Sequence, residues 1–221
     1  MCGRFAITLP TDAMAQLFGA VPGNDLPDVP NYNVCPTNAI HVVSHEAGQR
    51  RLGAMRWGFL PSWYKSPNDG PLLINARAET IAEKPAFRSA ARERRCLVPA
   101  DGFYEWSKDE DGNRLPWYFS RADGAPMVFA GIWQDWGRGE APLRTCAIVT
   151  CASNKALRAV HHRMPVILER EHWGKWLGEE GHGAALLMTA VGEDVLRFHR
   201  VGREVNSNRA CGSGLIAGIA A

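Results

Sequence analysis

Short apolar runs separated by turn residues make up most of the chain between residues 39 and 151. Runs of about four to eight residues that are rich in β-branched and aromatic side chains predict strands, and Asp111-Gly112 is a hairpin turn signal between two of them. Several such strands with few, short helices predict an α+β fold, a single domain built on a curved, barrel-like, mainly antiparallel sheet. The predicted strands span residues 39–45, 52–59, 95–99, 101–107, 115–120, 126–133, 143–151 and 166–168.

Helical patterns are short and lie before, between and after these strands. Each begins with a side chain able to cap a helix N-terminus or carries a proline in its first turn, where the missing N–H costs nothing. The predicted helices run from Thr11 or Asp12 to Phe18, over 83–94, from Ser153 to Val160 and over 171–178.

Three remaining stretches carry weaker patterns. Residues 21–38 are rich in Pro, Asn and Asp and predict a loop, and its end at 32–37 is too polar for a regular element. Residues 184–190 predict a strand. We therefore assign residues 1–207 to one domain and 208–221 to a Gly/Ala-rich tail that is frayed at its end.

Composition narrows the class of protein without selecting one. The chain has 221 residues, 46% hydrophobic, and its net charge of +2 with a pI of about 8.3 neither requires nor excludes nucleic acid. Its six cysteines form no C-x-x-C pair and lack histidines at zinc-ligand spacing, so we expect neither a metal nor a cofactor. Without a signal-peptide pattern or an apolar run of about 18 residues, a cytoplasmic monomer with no membrane partner is expected.

The second residue has a chemistry that an internal cysteine lacks. Removal of Met1 would leave Cys2 with an α-amine and a thiol on adjacent carbons. An amine condenses with an aldehyde to an imine, and the neighbouring thiol then closes a five-membered thiazolidine. Their reference pKa values, about 7.7–8.0 and about 8.5, leave both groups partly deprotonated near neutral pH. A cysteine at this position by chance is the alternative.

Two further residue types fit aldehyde chemistry. Glu105 is flanked by Tyr104 and Trp106 in a strand-like stretch, where a carboxylate is either paired or has a raised pKa. A carboxyl of raised pKa could protonate the oxygen that departs during imine formation. His161 and His162 follow a helix at a turn, where an imidazole can shuttle protons near pH 7.

Polar and cationic groups suited to a sugar–phosphate chain lie in two segments. Asn75 offers an amide to an amine or a sugar hydroxyl, and Arg77 two residues later could bind phosphate bidentately. The arginines of the 83–94 helix and its end form either a phosphate-binding face or a solvated surface. Trp63 and Tyr64, beside a lysine, either stack on unpaired bases or pack beneath their own loop.

Six blocks of this sequence, in this order, resemble the SOS-response-associated peptidase (SRAP) family. Together they run from residue 2 to about residue 207. The resemblance implies a sensor of abasic sites in single-stranded DNA that forms a covalent thiazolidine crosslink, with associated abasic-site lyase and autoprocessing activity. The blocks are Met1-Cys2-Gly3-Arg4-Phe5, Tyr32-Asn33-Val34-Cys35-Pro36, Trp57-Gly58-Phe59-Leu60-Pro61-Ser62-Trp63, Ile74-Asn75-Ala76-Arg77-Ala78-Glu79-Thr80, Gly102-Phe103-Tyr104-Glu105-Trp106 and His161-His162-Arg163-Met164-Pro165.

The same resemblance implies a role for each matched residue. Cys2 is the nucleophile, Asn75 positions its amine and the sugar, Glu105 is the acid and base, and His161 stabilises or turns over the intermediate. Phosphates and displaced bases are held by Arg4, Arg77, Arg163, Trp63 and Tyr64. The partner is single-stranded DNA with an abasic site, and no motif identifies a replication-associated protein.

Two other functions stay open at the level of sequence. A thiol peptidase would use Cys2 as nucleophile, His161 as base and Glu105 as the orienting group, with the Met1–Cys2 bond as one substrate. A non-covalent module would recognise single strands or modified bases through aromatic and arginine side chains, and its binding would not depend on Cys2.

Overall fold

The strands carry most of the regular structure of the protein. The computed structural model describes residues 2–137 and 142–219. Strand positions follow the long apolar runs of the sequence closely between residues 39 and 152. The strands are β1 (Phe5–Ile7), β2 (Val21–Pro22), β3 (Asn31–Val34), β4 (Ala39–Glu46), β5 (Gln49–Trp57), β6 (Asn75–Arg77), β7 (Arg95–Ala100), β8 (Gly102–Lys108), β9 (Arg114–Arg121), β10 (Met127–Trp136), β11 (Leu143–Ala152), β12 (Arg163–Pro165) and β13 (Leu196–Arg200).

The helices are short and lie at the periphery of the sheets. None in the described part of the chain is long and apolar enough to cross a membrane. The α-helices are α1 (Thr11–Phe18), α2 (Arg88–Glu93), α3 (Lys155–Arg158) and α4 (Trp173–Leu177), and the 3-10 helices are Arg170–His172, Ala184–Leu187, Arg203–Asn206 and Ser213–Ile216.

The larger sheet is ring-like. Among the described residues its strand order is β12-β11-β10-β7-β4-β5-β2, with β6 paired to β11. A short parallel contact, Thr145 with Arg56 and Cys146 with Trp57, returns β5 to β11. The long neighbours β4–β5 and β10–β11 are antiparallel. The predicted α+β class, the single domain and the curved, mainly antiparallel sheet are confirmed.

The smaller sheet fixes the position of the N-terminal residues. Its order is β13-β9-β8-β1-β3, with β1 antiparallel to both of its neighbours. Phe5 on β1 lies opposite Phe103 on β8, and the backbone N–H of Tyr104 donates to the carbonyl of Arg4. This pairing brings the first residues of the chain beside β8.

Aromatic side chains join the two sheets in one core. Phe5 contacts Trp57 and Phe129 with ring centroids 5.2 and 6.0 Å apart, and Phe103 stacks on Phe119 at 5.0 Å. Burial of one such side chain contributes about 1.5–3 kcal/mol, so the strand that carries Phe5 is held firmly. The packing of Phe5 therefore also restrains the position of the residues just before it in the chain.

The structure corrects three predicted helices. The 83–94 helix is only α2, and the residues before it form hydrogen-bonded turns, because a proline disfavours the helical conformation of the residue that precedes it, here Lys84. Asn154, rather than Ser153, caps α3, its side chain accepting from the Leu157 N–H at 3.0 Å. Neither Thr11 nor Asp12 caps α1, which follows Pro10 and ends at Gly19 in the left-handed conformation.

Short edge elements also differ from the predictions. The segment expected to be irregular contains β3, and the strand expected at 184–190 is the 3-10 helix Ala184–Leu187. Residues 166–168 follow β12 and bond to both β10 and β11 without forming a named strand. The prediction missed β13, whose residues alternate without an apolar run.

The C-terminal segment is packed rather than frayed. Leu215 is buried, and Gly218 bridges to Val201. The carbonyl of Ala210 accepts a hydrogen bond from the side chain of Asn33 at 2.6 Å. The last two residues of the predicted tail lie outside the described residues.

Candidate functional site

Cys2 lies directly before β1 and is completely buried. The side-chain amide of Asn75 donates to the Cys2 carbonyl at 2.9 Å. Burial, followed by the negative charge of Glu105, raises the pKa of the Cys2 thiol well above its usual range. The thiol therefore stays protonated near neutral pH, beside an acid and a fixed amide.

Asn75 is positioned by a strand pairing that is remote in sequence. It is the first residue of β6, which runs parallel to β11 with Asn75 opposite Ile148. Its Nδ2 binds Cys2, whereas its Oδ1 is buried with no hydrogen-bond partner in the described part of the chain. A buried acceptor left in this state costs about 1–3 kcal/mol, so the amide is prepared for a donor next to Cys2.

Glu105 extends from β8 into the interior and is 2% exposed. Burial raises the pKa of its carboxyl, and the charge of Arg114 opposes that effect. A carboxyl of raised pKa retains its proton closer to neutral pH, which suits a general acid. The raised pKa agrees with one of the two states predicted for this carboxylate.

His161 completes the group. Its Nδ1 lies 3.7 Å from Oε1 of Glu105 and 3.1 Å from both the backbone N and O of Arg163. Burial lowers the pKa of His161, so the imidazole is neutral near pH 7. Its ring stacks on that of His162 with centroids 4.5 Å apart. A neutral imidazole next to a carboxyl whose protonated form is favoured by burial is a pair that can exchange protons.

A cleft of about 290 Å³ opens onto this group. Larger concave spaces exist elsewhere on the molecule, but the candidate catalytic groups Glu105 and His161 line this cleft. The lining residues combine the acid, the imidazole and several cations. They are Gly3, Arg4, Glu105, Trp106, Ser107, Lys108, Arg114 and His161.

Arg4 is fixed at the edge of this cleft by the C-terminal segment. Its Nη1 donates to Asn33 Oδ1 at 2.6 Å and to the Val205 carbonyl at 3.0 Å. The amide of Asn33 in turn donates to the carbonyls of Ser207 and Ala210 at 3.2 and 2.6 Å. Residues separated by about 170 positions in sequence thus orient one cation of the site.

The other two predicted phosphate ligands lie in different environments. Arg77 is exposed at the end of β6. Arg163 is buried, with its guanidinium bound bidentately by Glu79 at 2.6 and 2.9 Å and by the Thr150 carbonyl at 2.6 Å. In this structure Arg163 therefore anchors the turn that carries His161, and its guanidinium is not presented to a phosphate.

The predicted stacking pair lies outside the cleft. Trp63 is 56% exposed and lines a separate cleft of about 330 Å³ with Arg94 and Gln134. Tyr64 packs back on its own loop, its hydroxyl donating to the Pro71 carbonyl at 3.4 Å. Of the two, Trp63 is exposed enough to stack on an unpaired base, whereas Tyr64 packs against its own loop.

Four residues that contact the site were not predicted from the sequence. Trp106 and Asn33 both lie within the matched motifs, and their place in those motifs was the sequence signal that could have identified them. Lys108 and Arg114 flank the Asp111-Gly112 turn, and opposing positions in a hairpin could have been paired from sequence. No cluster of three or more metal-binding side chains occurs within residues 2–137 and 142–219.

Comparisons with known proteins agree with the fold and show the family. The family model for SOS response associated peptidase (SRAP) matches residues 1–208. The chain belongs to the SRAP family.

Curated relatives cover almost the entire chain. "Abasic site processing protein YoaM" of Bacillus subtilis is 36% identical over 214 residues, 94% of this chain and 93% of that protein. "Abasic site processing protein YedK" of Escherichia coli is 32% identical, covering 98% and 99%. "Abasic site processing protein HMCES" of Pongo abelii is 31% identical, covering 95% and 73%.

Solved structures share the same fold. A protein from Bacteroides thetaiotaomicron aligns with a TM-score of 0.86 at 23% identity, over 99% of this chain and 100% of that one. A phage-related protein from Bordetella bronchiseptica aligns with a TM-score of 0.70 at 28% identity, over 90% and 94%. The first of these likenesses concerns the fold alone.

Proposed function

We propose that this protein senses abasic sites in single-stranded DNA and captures them covalently through Cys2, after removal of Met1. The observation that carries the proposal is that Asn75 binds the Cys2 carbonyl while Glu105 lies close enough to Cys2 to raise the pKa of its thiol. Glu105 also lies beside His161, and both line one cleft. Relatives at 31–36% identity are named abasic site processing proteins, which supports the same substrate. The proposal places the protein in the cytoplasm as a monomer.

The first step is imine formation. The α-amine of Cys2 adds to the C1′ aldehyde of the ring-opened deoxyribose, and the resulting hydroxyl leaves as water. Glu105 supplies the proton for that departure, and burial favours the protonated form of its carboxyl by raising the pKa. General acid catalysis of this kind contributes about 10²–10⁴-fold. His161 exchanges protons with the sugar oxygen as the ring opens.

The second step closes the thiazolidine. The Cys2 thiol adds to the imine carbon, a C–S bond forms, and the thiol proton passes through the Glu105 carboxylate to the nitrogen. One water is lost overall, and no oxidant or reductant is needed. Asn75 fits the task of holding the amine, because its Nδ2 already holds the Cys2 carbonyl and its Oδ1 is unused within the described residues.

An associated lyase activity follows from the same imine. If the thiol does not close the ring, the imine can lose the 3′ phosphate by β-elimination, which cleaves the strand. Ring closure removes the imine and with it this path. The stable crosslink and strand cleavage are therefore competing outcomes of one intermediate.

The strand itself needs cations and a base-stacking surface. Arg4 lines the cleft, Arg77 is exposed at the end of β6, and Trp63 is the exposed aromatic. We propose that these three bind the phosphates and a displaced base. Arg163, bound by Glu79, supports the site from behind.

A thiol peptidase is less well supported by the local electrostatics. Such an enzyme attacks with a thiolate, often stabilised by an adjacent imidazolium. Here burial and Glu105 raise the pKa of the Cys2 thiol, and burial lowers the pKa of His161. Both effects disfavour the thiolate–imidazolium pair, whereas imine chemistry starts from a neutral amine.

A denaturing gel tests the proposal. Purified protein, verified by intact mass to begin at Cys2, is mixed with single-stranded DNA containing one abasic site. A heat-stable, slower band that is absent with Cys2→Ser is the expected result. A peptidase or a non-covalent binding module gives no such band, and its appearance with undamaged DNA would also contradict the proposal.

A further inference from the structure

The β8–β9 hairpin forms one wall of the cleft and carries two cations that the proposed chemistry does not use. Lys108 and Arg114 lie directly opposite each other across the two strands. Both are exposed, and both line the cleft that contains Glu105 and His161. The hairpin thus presents a pair of positive charges beside the reacting groups.

Arg114 is held in place by an aromatic ring. Its Cζ lies 4.5 Å from the ring centroid of Trp106, and Arg4 approaches the same ring at 5.9 Å. The indole is itself fixed, since its Nε1 donates to Asn206 Oδ1 at 2.6 Å. Trp106 therefore orders a cation on each of two segments, the N-terminal residues and the hairpin.

Neither cation forms a salt bridge within the described residues. Among the ion pairs of the described residues, none includes Lys108 or Arg114. The charge of Arg114 acts on the buried Glu105 at longer range, and Asp109 on the hairpin binds Asn113 and lies 3.6 Å from Arg203. Two adjacent, exposed cations outside any salt bridge of the described residues favour an anionic ligand, and a nucleic-acid strand entering this cleft brings phosphates.

We propose that Lys108 and Arg114 form a phosphate-binding edge for the DNA strand next to the lesion, with Arg114 ordered by Trp106. The inference rests on the proposed function for the identity of the strand. In this proposal the DNA strand continues from the reacting sugar along the β8–β9 hairpin. Within this hairpin the matched motifs end at Trp106 and contain no residue beyond it.

Salt-dependent binding of undamaged single-stranded DNA tests this edge separately from crosslinking. The variants are Lys108→Gln, Arg114→Gln and their combination, and the matched control is Arg51→Gln, an exposed strand arginine on β5 outside this cleft. Each phosphate contact on a single strand contributes about 0.7 to the slope of log K against log salt, so the double variant should lose about 1.4. Between about 50 and 200 mM salt, the fold loss of affinity of the double variant should then be about seven times smaller than that of the native protein.

The outcomes separate the two proposals. Weaker binding, a shallower slope and a crosslink yield restored at saturating DNA support the edge. An unchanged slope, or an equal effect from Arg51→Gln, overturns it even if crosslinking is normal. If the native protein forms no crosslink, the proposed function fails while the slopes still decide the edge. Lys108→Glu, at an exposed position, provides a second test should loss of the Trp106 contact unfold the Arg114 variants.

Discussion

Oε1 of Glu105 lies 3.7 Å from Nδ1 of His161, and both residues line the same cleft. Burial shifts the two groups in opposite directions, raising the pKa of the carboxyl and lowering that of the imidazole. The shifts bring the two pKa values towards each other, an arrangement that favours proton transfer within the pair. This relationship gives the site its pH dependence.

Glu105→Gln should slow crosslinking by about 10²–10⁴-fold, because the amide cannot donate the proton that removes water. In the native protein the rate should fall as pH rises through the raised pKa of Glu105, since the carboxyl then loses that proton. The variant should lack this limb of the profile. Single-turnover gels from acidic to alkaline pH measure both effects.

Asp101→Asn is the matched control for that experiment. Asp101 is another carboxyl whose pKa is raised by burial, but it lies in the turn between β7 and β8 and hydrogen-bonds with Thr8. Its replacement should leave the pH profile intact. A profile that keeps its shape in Glu105→Gln would show that another group supplies the proton.

Cys2→Ala should convert the crosslink into strand cleavage. The variant retains an N-terminal amine once Met1 is removed, so the imine forms, but no thiol closes the ring. A transient adduct trapped by borohydride and a cleaved strand are the expected products on a denaturing gel. Recovery of a heat-stable adduct without borohydride would refute the role given to the thiol.

Asn75→Ala should slow crosslinking while leaving DNA affinity unchanged. The substitution removes the hydrogen bond to the Cys2 carbonyl and releases the N-terminal residue. Loss of one such bond costs about 0.5–1.5 kcal/mol of stability. Crosslinking rate, Kd for undamaged strand and Tm separate these effects, and a raised Kd with a normal rate at saturation would contradict a positioning role.

Asn33→Ala should weaken DNA binding through Arg4. The amide of Asn33 accepts from Arg4 and donates to the carbonyls of residues 207 and 210, so its loss removes three hydrogen bonds at about 0.5–1.5 kcal/mol each. Asn38→Ala, which removes an exposed side chain that accepts from the Cys35 N–H, is the control. If the native protein and Asn33→Ala bind DNA with equal affinity, Arg4 does not contribute to phosphate binding.

Arg163 and Glu79 provide a test of a buried pair against a phosphate contact. Removal of one partner from a buried pair costs up to about 3–5 kcal/mol, less here because Glu79 is 49% exposed on its side chain. Arg163→Ala and Glu79→Ala should both lower Tm and crosslinking rate, with little change in the salt slope of DNA binding. A shallower slope in Arg163→Ala alone would instead mean that Arg163 binds phosphate.

The sequence predicted the central strands, but it did not predict the surroundings of the candidate site residues. The long runs that became β10 and β11 are apolar because both faces are buried, so their pattern is strong. The edge strands β3 and β13 carry polar and charged side chains, and only their pairing partners define them.

Long-range contacts explain the rest. Nothing local to Arg163 indicates that Glu79, 84 residues earlier, binds its guanidinium. Likewise the predicted tail, residues 208–221, looked frayed, because the contact of its Ala210 carbonyl with Asn33 is made by the backbone and leaves no mark on composition. Fold class followed from local pattern, whereas the availability of each cation depended on tertiary structure.

Peptide mapping of the isolated DNA–protein product tests the central claim most directly. Protein beginning at Cys2 is reacted with abasic single-stranded DNA without borohydride, digested with nuclease and protease, and sequenced by tandem mass spectrometry. The account predicts the sugar on the N-terminal Cys2 peptide, at the sum of the two masses less one water, and unchanged by later borohydride treatment. Attachment at a lysine, or a Cys2 adduct that borohydride reduces, would contradict it.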